Sequence, residues 1–474
     1  MKNNYIKGFV LSGLIALIGL SSCQVMNKYE SPQINSDNLF RDANQTDTTT
    51  IADILWREYF KDPLLQAYIN EGLNNNFDML ITTERIKQAE AMLGQARAAY
   101  FPDVALSGQV EQTRLSNADP LTGMPRSKNN LGYHKETYTL GIVASWELDI
   151  WGKLNRQSKA KYADMLNSYA GRNLIQTSLI SNIANTYYSI LALDEQLIVT
   201  NEMIGLMDDN LLTMDALKEA GLANGAAVEQ SRAALYSAKT SIHDLESNIS
   251  QLENALCVML GRAPVSLNRA TLSDQIVPAR LTYGIPAQML AKRPDVQQAE
   301  LSFRSAFELR YAAKAGFYPS VTLNSGTLGF STVNGLSNFF KPENLFASIV
   351  AGLTQPLFAK KRLIAQYDVA KAEQQATLLA FEKTVLAAGQ EVSDIMAIYE
   401  SATKKMETRA IQVESLMKAV DYTRELLIAG EATYLEVLTA QQGLLDAQLN
   451  QVNDKLQQLQ ATSNLYRALG GGIE

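Results

Sequence analysis

Between positions 138 and 150 apolar and polar residues alternate. Tyr138, Leu140, Ile142, Ala144, Trp146, Leu148 and Ile150 share one face, and Thr139, Gly141, Val143, Ser145, Glu147 and Asp149 the other. A period of two predicts a strand, and the aromatic residues on one face with carboxylates on the other predict a boundary or lipid on the first side and water on the second. Upstream, Val104, Leu106 and Val110 alternate with Ser107, Gln109 and Glu111 in a segment ending near Arg114. Residues 320–331 and 345–357 repeat the pattern more weakly, diluted by Gly326, Gly329 and Gly352. Elsewhere the period changes. Residues 153–220 lack proline and are rich in helix formers, which predicts one helix of about 100 Å, too long for a compact globular domain. After Gly221, Val228, Leu235, Ile242, Ile249 and Leu256 recur every seven residues, followed by Ala238, Leu245, Leu252 and Met259. Leu438, Leu445, Val452, Leu459 and Tyr466, with Leu435, Leu449 and Leu456, form the matching seam near the C-terminus, beside a small-residue stripe of Ala440, Ala447, Ala461 and Ala468. One seam builds a hairpin; a second stripe predicts another neighbour for each helix, as in a cylinder. A two-stranded coiled-coil scaffold is the plainer alternative.

The patterns occur twice. Gly221 and Gly430 are 430 − 221 = 209 apart, and Gly261 and Gly470 are 470 − 261 = 209 apart. Tyr100-Phe101-Pro102-Asp103-Val104 matches Phe317-Tyr318-Pro319-Ser320-Val321 at an offset of 319 − 102 = 217, and Ile150-Trp151-Gly152-Lys153 matches Leu357-Phe358-Ala359-Lys360 at 360 − 153 = 207. The first copy therefore carries an insertion around residues 117–134. The chain reads as a tandem duplication of helix, two strands, long helix, turn and helix, with the first repeat at 51–263, a linker at 264–285 and the second repeat at 286–474. Pro102 and Pro319 stop a helix before each strand pair, and Gly152 and Ala359 mark the return from strand to helix. Four strands are too few to close a barrel in lipid, where an open edge leaves backbone groups unsatisfied, so other subunits must complete it; three copies give twelve strands.

The chain has 474 residues, a formal charge of −7 and only two histidines, His134 and His243. Nothing favours phosphate neutralisation, so nucleic acid is not an expected partner. No P-loop, GxSxG, HExxH or dinucleotide fingerprint is present, so no catalytic residue, metal site or cofactor is expected, and Glu147 with Asp149 lacks a histidine or metal partner. Lys2, Lys7 and the apolar run at 8–20 read as a signal peptide over 1–22. It ends Leu20-Ser21-Ser22-Cys23, which resembles a bacterial lipobox; Cys23 would then carry a covalent lipid, and residues 23–50 would form an extended tether. A plain signal peptide with a chance cysteine is the alternative. Cys257 lies in a helical pattern as a small core residue.

Three motifs resemble the outer membrane factor family, the TolC-like exit ducts, and particularly the NodT-like lipoprotein branch. They are Trp146-Glu147-Leu148-Asp149-Ile150-Trp151-Gly152-Lys153, then Lys292-Arg293-Pro294-Asp295-Val296 with Ala299-Glu300, then Gly430 leading into Tyr434-Leu435-Glu436-Val437-Leu438. The resemblance spans about residues 50–472. It implies a mainly α protein with a membrane β-barrel: a homotrimer whose twelve-stranded barrel continues into a long periplasmic α-helical barrel. It also implies partnership with a periplasmic adaptor and an inner-membrane pump of the resistance-nodulation-division type. Such ducts pass small molecules through the outer membrane and perform no chemistry. Counting from Gly430, Glu436 falls where the family places an acidic pore-constricting residue, and the second acidic position is Thr439 here. A ring of carboxylates would bind cations; an ordinary solvated helix residue is the other reading of Glu436. The turns Gly221-Leu222-Ala223 and Gly430-Glu431-Ala432 are expected adaptor contacts, or simply turns that need a permissive residue. A protein-secretion duct and a lipoprotein scaffold or adaptor remain the competing functions.

Overall fold

The structure is a computed structural model that describes residues 27–33, 39, 51–114, 118, 134–277, 290–333 and 335–473. Cys23, the signal peptide, most of the tether, residues 119–133 and the end of the linker lie outside the described residues. A short helical turn at Trp56–Tyr59 leads into α1 (Pro63–Asn75) and α2 (Phe77–Ala98). Next come β1 (Asp103–Arg114), β2 (His134–Leu148), α3 (Lys153–Glu219) and α4 (Gly225–Met259). The order then recurs as α5 (Pro294–Ala315), β3 (Ser320–Val333), β4 (Leu345–Thr354), α6 (Arg362–Ala429) and α7 (Tyr434–Ala468). The lengths recur too. Helices α2 and α5 have 22 residues each, α3 and α6 have 67 and 68, and α4 and α7 have 35 each. Among the described residues no helix is long and apolar enough to cross a membrane.

Contacts divide the chain into two spatial units, each drawn from both halves of the sequence. The first comprises Met1–Pro32, Gln88–Leu166 and Glu300–Leu379; the second comprises Gln33–Lys87, Asn167–Ala299 and Ala380–Glu474. The first holds the sheet, which among the described residues has four antiparallel strands in the order β1-β2-β3-β4. Both ladders of β3 shift by one residue just after Leu323, before Gly326 in the pairing with β2 and before Ser325 in the pairing with β4, which places a β-bulge there. The bulge keeps one face apolar across the sheet. Tyr138, Leu140, Ile142, Ala144, Trp146 and Leu148 pair with Thr332, Phe330, Leu328, Gly326, Leu323 and Val321, and those from Phe330 to Val321 pair in turn with Leu345, Ala347, Ile349, Ala351 and Leu353. Val104, Leu106 and Val110 extend the face on β1 through Ala144, Ile142 and Tyr138. Strand β2 ends at Leu148, so Ile150 and Asp149 leave the alternation predicted for them.

The second unit is helical. Near the C-terminal end of α7, Tyr466 stacks on Tyr59 with centroids 4.5 Å apart, and its hydroxyl donates to the Ile54 carbonyl at 2.7 Å. Further along, Met203 and Met207 of α3, Leu235 and Ala238 of α4, Val413 and Val420 of α6, and Ala440, Leu444 and Ala447 of α7 form a four-helix core. The heptad seam holds in α4, where Val228, Leu235, Ile249 and Leu256 are buried. In α7 it is split. Val452, Leu459 and Tyr466 are buried, but toward the helix start the small stripe replaces the leucines: Ala440 and Ala447 are buried and Leu435 is 56% exposed. Cys257 is buried, with its thiol 3.5 Å from the Val265 carbonyl.

Candidate gate, junction and anchor sites

Helices α3 and α6 each end in a Schellman turn. The Gly221 and Leu222 N–H groups donate to the carbonyls of Lys218 (3.0 Å) and Leu217 (2.8 Å); those of Gly430 and Glu431 donate to Leu427 (3.1 Å) and Leu426 (2.9 Å). Both glycines are left-handed, at φ +74° and +76°, with open space where a Cβ would point. Ala223 and Ala432 continue each turn, donating to the same leucine carbonyls at 3.2 Å. Leu222 is 77% exposed. Behind the turns, Met214, Ala227, Val228, Leu427 and Val437 form a small core joining all four helix ends.

The two hairpins cap their second helix differently. In α4 the Asn224 side chain accepts from the Ala227 N–H at 2.9 Å. At the counterpart in α7, Thr433 is the N-cap and Glu436 Oε2 accepts its N–H at 3.3 Å, the return bond of a capping box. Glu436 is exposed and so has a structural task besides any pore role. Thr439, also exposed, donates its hydroxyl to the Leu435 carbonyl at 2.7 Å. Tyr434 hydrogen-bonds across to Gln230. Deeper along the helices a cavity of about 110 Å³ is lined by Asn210, Asp421, Arg424 and Gln441, whose Oε1 has no hydrogen-bond partner among the described residues. Sequence reasoning missed it; Gln441 beside the alanine stripe was the available signal.

The strand-to-helix junction explains the first tryptophan motif. Asp149 accepts the N–H groups of Leu154 and Asn155, both at 2.9 Å, and so caps α3, whose dipole its charge complements. Glu147 pairs with Lys153 at 2.9 Å. Trp151 stacks on Tyr318 and donates to the Pro319 carbonyl at 2.7 Å, while Trp146 donates to the Tyr100 carbonyl at 2.9 Å. Pro102 and Pro319 lie immediately before β1 and β3. Gly152 has φ 72° and its carbonyl accepts the first helical bond from Arg156. In the second copy that role falls to Lys361, at φ 64°, which accepts from Ala365; Ala359 lies two residues earlier. The hairpins agree, since Asp103 pairs with Ser145 and Ser320 with Thr354, giving 354 − 145 = 209. The match at 207 is therefore not the structural equivalence, and Ala359 corresponds to Ile150.

Arg293 of the second motif is a buried knot. It donates to the Ala468 carbonyl at 2.7 Å, holds Asp295 at 2.6 Å and Glu391 at 2.7 Å, and Glu391 also binds Arg467. Burial works against ionisation of Asp295, but the hydrogen bonds and charge of Arg293 outweigh it and hold the carboxyl below its ordinary range. In the first unit, the described part of the tether is pinned. Arg156 pairs with Glu308 at 2.6 Å, both nearly buried, and donates to the Asn27 carbonyl at 2.9 Å; Tyr29 packs edge-on to Phe307 and hydrogen-bonds Glu300 at 3.2 Å. The pair was also missed, although Arg156 sits at helical spacing from Ala160 and Ala163, both wholly buried.

The sequence profile of the outer membrane efflux protein family matches residues 68–262 and 285–471. The chain belongs to the outer membrane efflux protein family. It is an outer-membrane efflux duct and not an enzyme. It is 27% identical over 466 residues, 98% of this chain and 97% of the relative, to a probable outer membrane lipoprotein, SilC, of Salmonella typhimurium. It is 26% identical over 461 residues, 96% of this chain and 97% of the relative, to the cation efflux system protein CusC of Escherichia coli K12. The duct's fold matches a crystal structure of CusC with TM-score 0.80 at 25% identity, covering 95% of this chain and 100% of that one. It also matches the outer membrane protein VceC of Vibrio cholerae with TM-score 0.79 at 23% identity, covering 88% and 98%.

Proposed function

We propose that three copies of this efflux protein close a twelve-stranded outer-membrane barrel continuing into a periplasmic helical barrel. This is the exit duct of a tripartite pump completed by a periplasmic adaptor and an inner-membrane pump of the resistance-nodulation-division type. The observation that carries the reading is the sheet: a continuous apolar face, with Leu106, Ile142 and Ile349 at least half exposed, and edges β1 and β4 without a partner strand among the described residues. In lipid such edges must be paired. Exposed apolar residues along the helices, such as Tyr236, Val369, Leu386 and Ile411, suit neighbouring subunits.

In this reading three Glu436 carboxylates ring the narrow end of the tube, flanked by Thr439, and the turns at Gly221-Leu222-Ala223 and Gly430-Glu431-Ala432 meet the adaptor. Cleavage after residue 22 leaves Cys23 acylated, palmitate included, in outer-membrane lipid; that lipid is the only group the duct carries. The cargo is small molecules or ions, the class to which the cations of the CusC efflux system belong. Single-particle imaging of protein extracted from outer membranes in mild detergent tests the assembly. A threefold particle with a short barrel and a long helical tube is expected; a monomer or dimer would overturn it.

A further inference from the structure

The seam between the two halves of the sheet supplies a template for the seam between subunits. Strand β2 runs to Leu148 because β3 holds its last residues, with Trp146 opposite Leu323, Glu147 opposite Thr322 and Leu148 opposite Val321. Strand β4 stops at Thr354. At the 209 offset, Gln355, Pro356 and Leu357 are the counterparts of Trp146, Glu147 and Leu148, and at the 217 offset Val104, Ala105 and Leu106 are those of Val321, Thr322 and Leu323. The counterparts lack cover. Leu357 is 96% exposed against 37% for Leu148, and Phe101 is 73% exposed where its counterpart Tyr318 lies under Trp151.

We infer that β4 of one copy extends by three residues and pairs antiparallel with β1 of the next in the register of the β2–β3 seam: Leu357 opposite Val104, Gln355 opposite Leu106, Leu353 opposite Gly108 and Ala351 opposite Val110. This deepens the trimeric duct reading and rests on it. Two further observations fix the register. The β1–β2 ladder runs without a shift from Asp103 to Arg114, so β1 carries no bulge, and the pairing continues unbroken past the level where β3 is irregular. A slip of one residue would turn Leu353 away from the face that Val104, Leu106 and Val110 share, which the alternation of strand side chains forbids in a sheet with one lipid face. Slips of two residues keep the faces but abandon the template. The edge Pro356 offers no N–H to the ladder; its counterpart Glu147 shows that the position lies near a strand end, where proline is tolerated.

Paired cysteines in the full chain separate these registers, because a disulfide spans directly opposed residues but not the diagonal pair two residues along. Cys257 is buried and is retained. Leu357→Cys with Val104→Cys is expected to shift the protein from monomer to linked trimer in denaturing gels on oxidation. Leu357→Cys with Leu106→Cys, and Gln355→Cys with Val104→Cys, are expected to stay monomeric there. Should an offset pair link in preference while the unsubstituted protein forms trimers, the register is wrong and the duct reading stands. If the unsubstituted protein forms no trimer, the duct reading itself fails and takes the register with it. Where the first pair does not assemble under reducing conditions, Ala351→Cys with Val110→Cys decides in the same register: linked trimers support it and monomers overturn it.

Discussion

Glu436 carries two demands on one side chain. As the third residue of α7 it returns a bond to the Thr433 N–H, and as an exposed carboxylate it supplies the proposed ring of charge. The first copy has Ala227 at the matching position, 2% exposed, with Asn224 alone as cap. The acid is therefore not needed to start such a helix, which favours a second purpose. Glutamine can make the capping bond but carries no charge, and alanine can do neither. Glu436→Gln should lose block of the channel by multivalent cations in planar bilayers while keeping thermal stability. Glu436→Ala should lose the same block and in addition about 0.3–1.5 kcal/mol of stability. Cation block that survives Glu436→Gln would remove this residue from the gate and leave it a helix cap.

Helix and turn positions were legible because their physics is local. The glycine pairs at 209 mark left-handed ends of equivalent helices: Gly261 and Gly470, like Gly221 and Gly430, have φ above +70°. These geometries call for a different test of the adaptor contact, since replacing Gly221 strains the backbone by about 1–2 kcal/mol and confounds docking with turn stability. Leu222 has no such constraint. Leu222→Asp should leave trimers intact and reduce crosslinking to the adaptor at the tip; unchanged crosslinking would free this turn from contact. The weak strands were harder to read for a reason other than their glycines. The bulge after Leu323 swaps the faces, so Val321 and Leu323 share a side with Gly326, Leu328 and Phe330, and a strict period of two misses the apolar face. Gly329 is required where it stands, because a Cβ would lie 2.2 Å from the Leu140 carbonyl oxygen. Similarly, the 207 match arose from aromatic and lysine identities at a junction where Lys360 and Lys361 adopt positive φ, a geometry that residue types other than glycine do not announce.

For the molecule in its membrane, the informative feature is where the chain's start is held. Asn27 is four residues from Cys23, which puts the two within about 14 Å even in a fully extended chain. The Asn27 carbonyl is fixed by Arg156, whose own N–H bonds back to Gly152 at the strand-to-helix junction. In the lipid-anchored trimer proposed above, acyl chains on Cys23 would enter lipid beside the end of the barrel, so that anchor and the apolar face of the sheet would share one membrane level. Arg156 cannot be tested by simple truncation, because leaving Glu308 buried and alone costs about 3–5 kcal/mol. Replacing both charges avoids that penalty, since well-packed apolar substitutes for a buried pair are often neutral. Arg156→Met with Glu308→Leu should therefore fold and assemble, yet release the strap. Trypsin should then cut after Lys28 much faster than in the unsubstituted trimer, shedding the lipidated peptide from a duct whose barrel remains in the membrane. Equal cleavage rates would mean that Tyr29, through Phe307 and Glu300, holds the strap without Arg156, and the anchor point would move from α3 to α5.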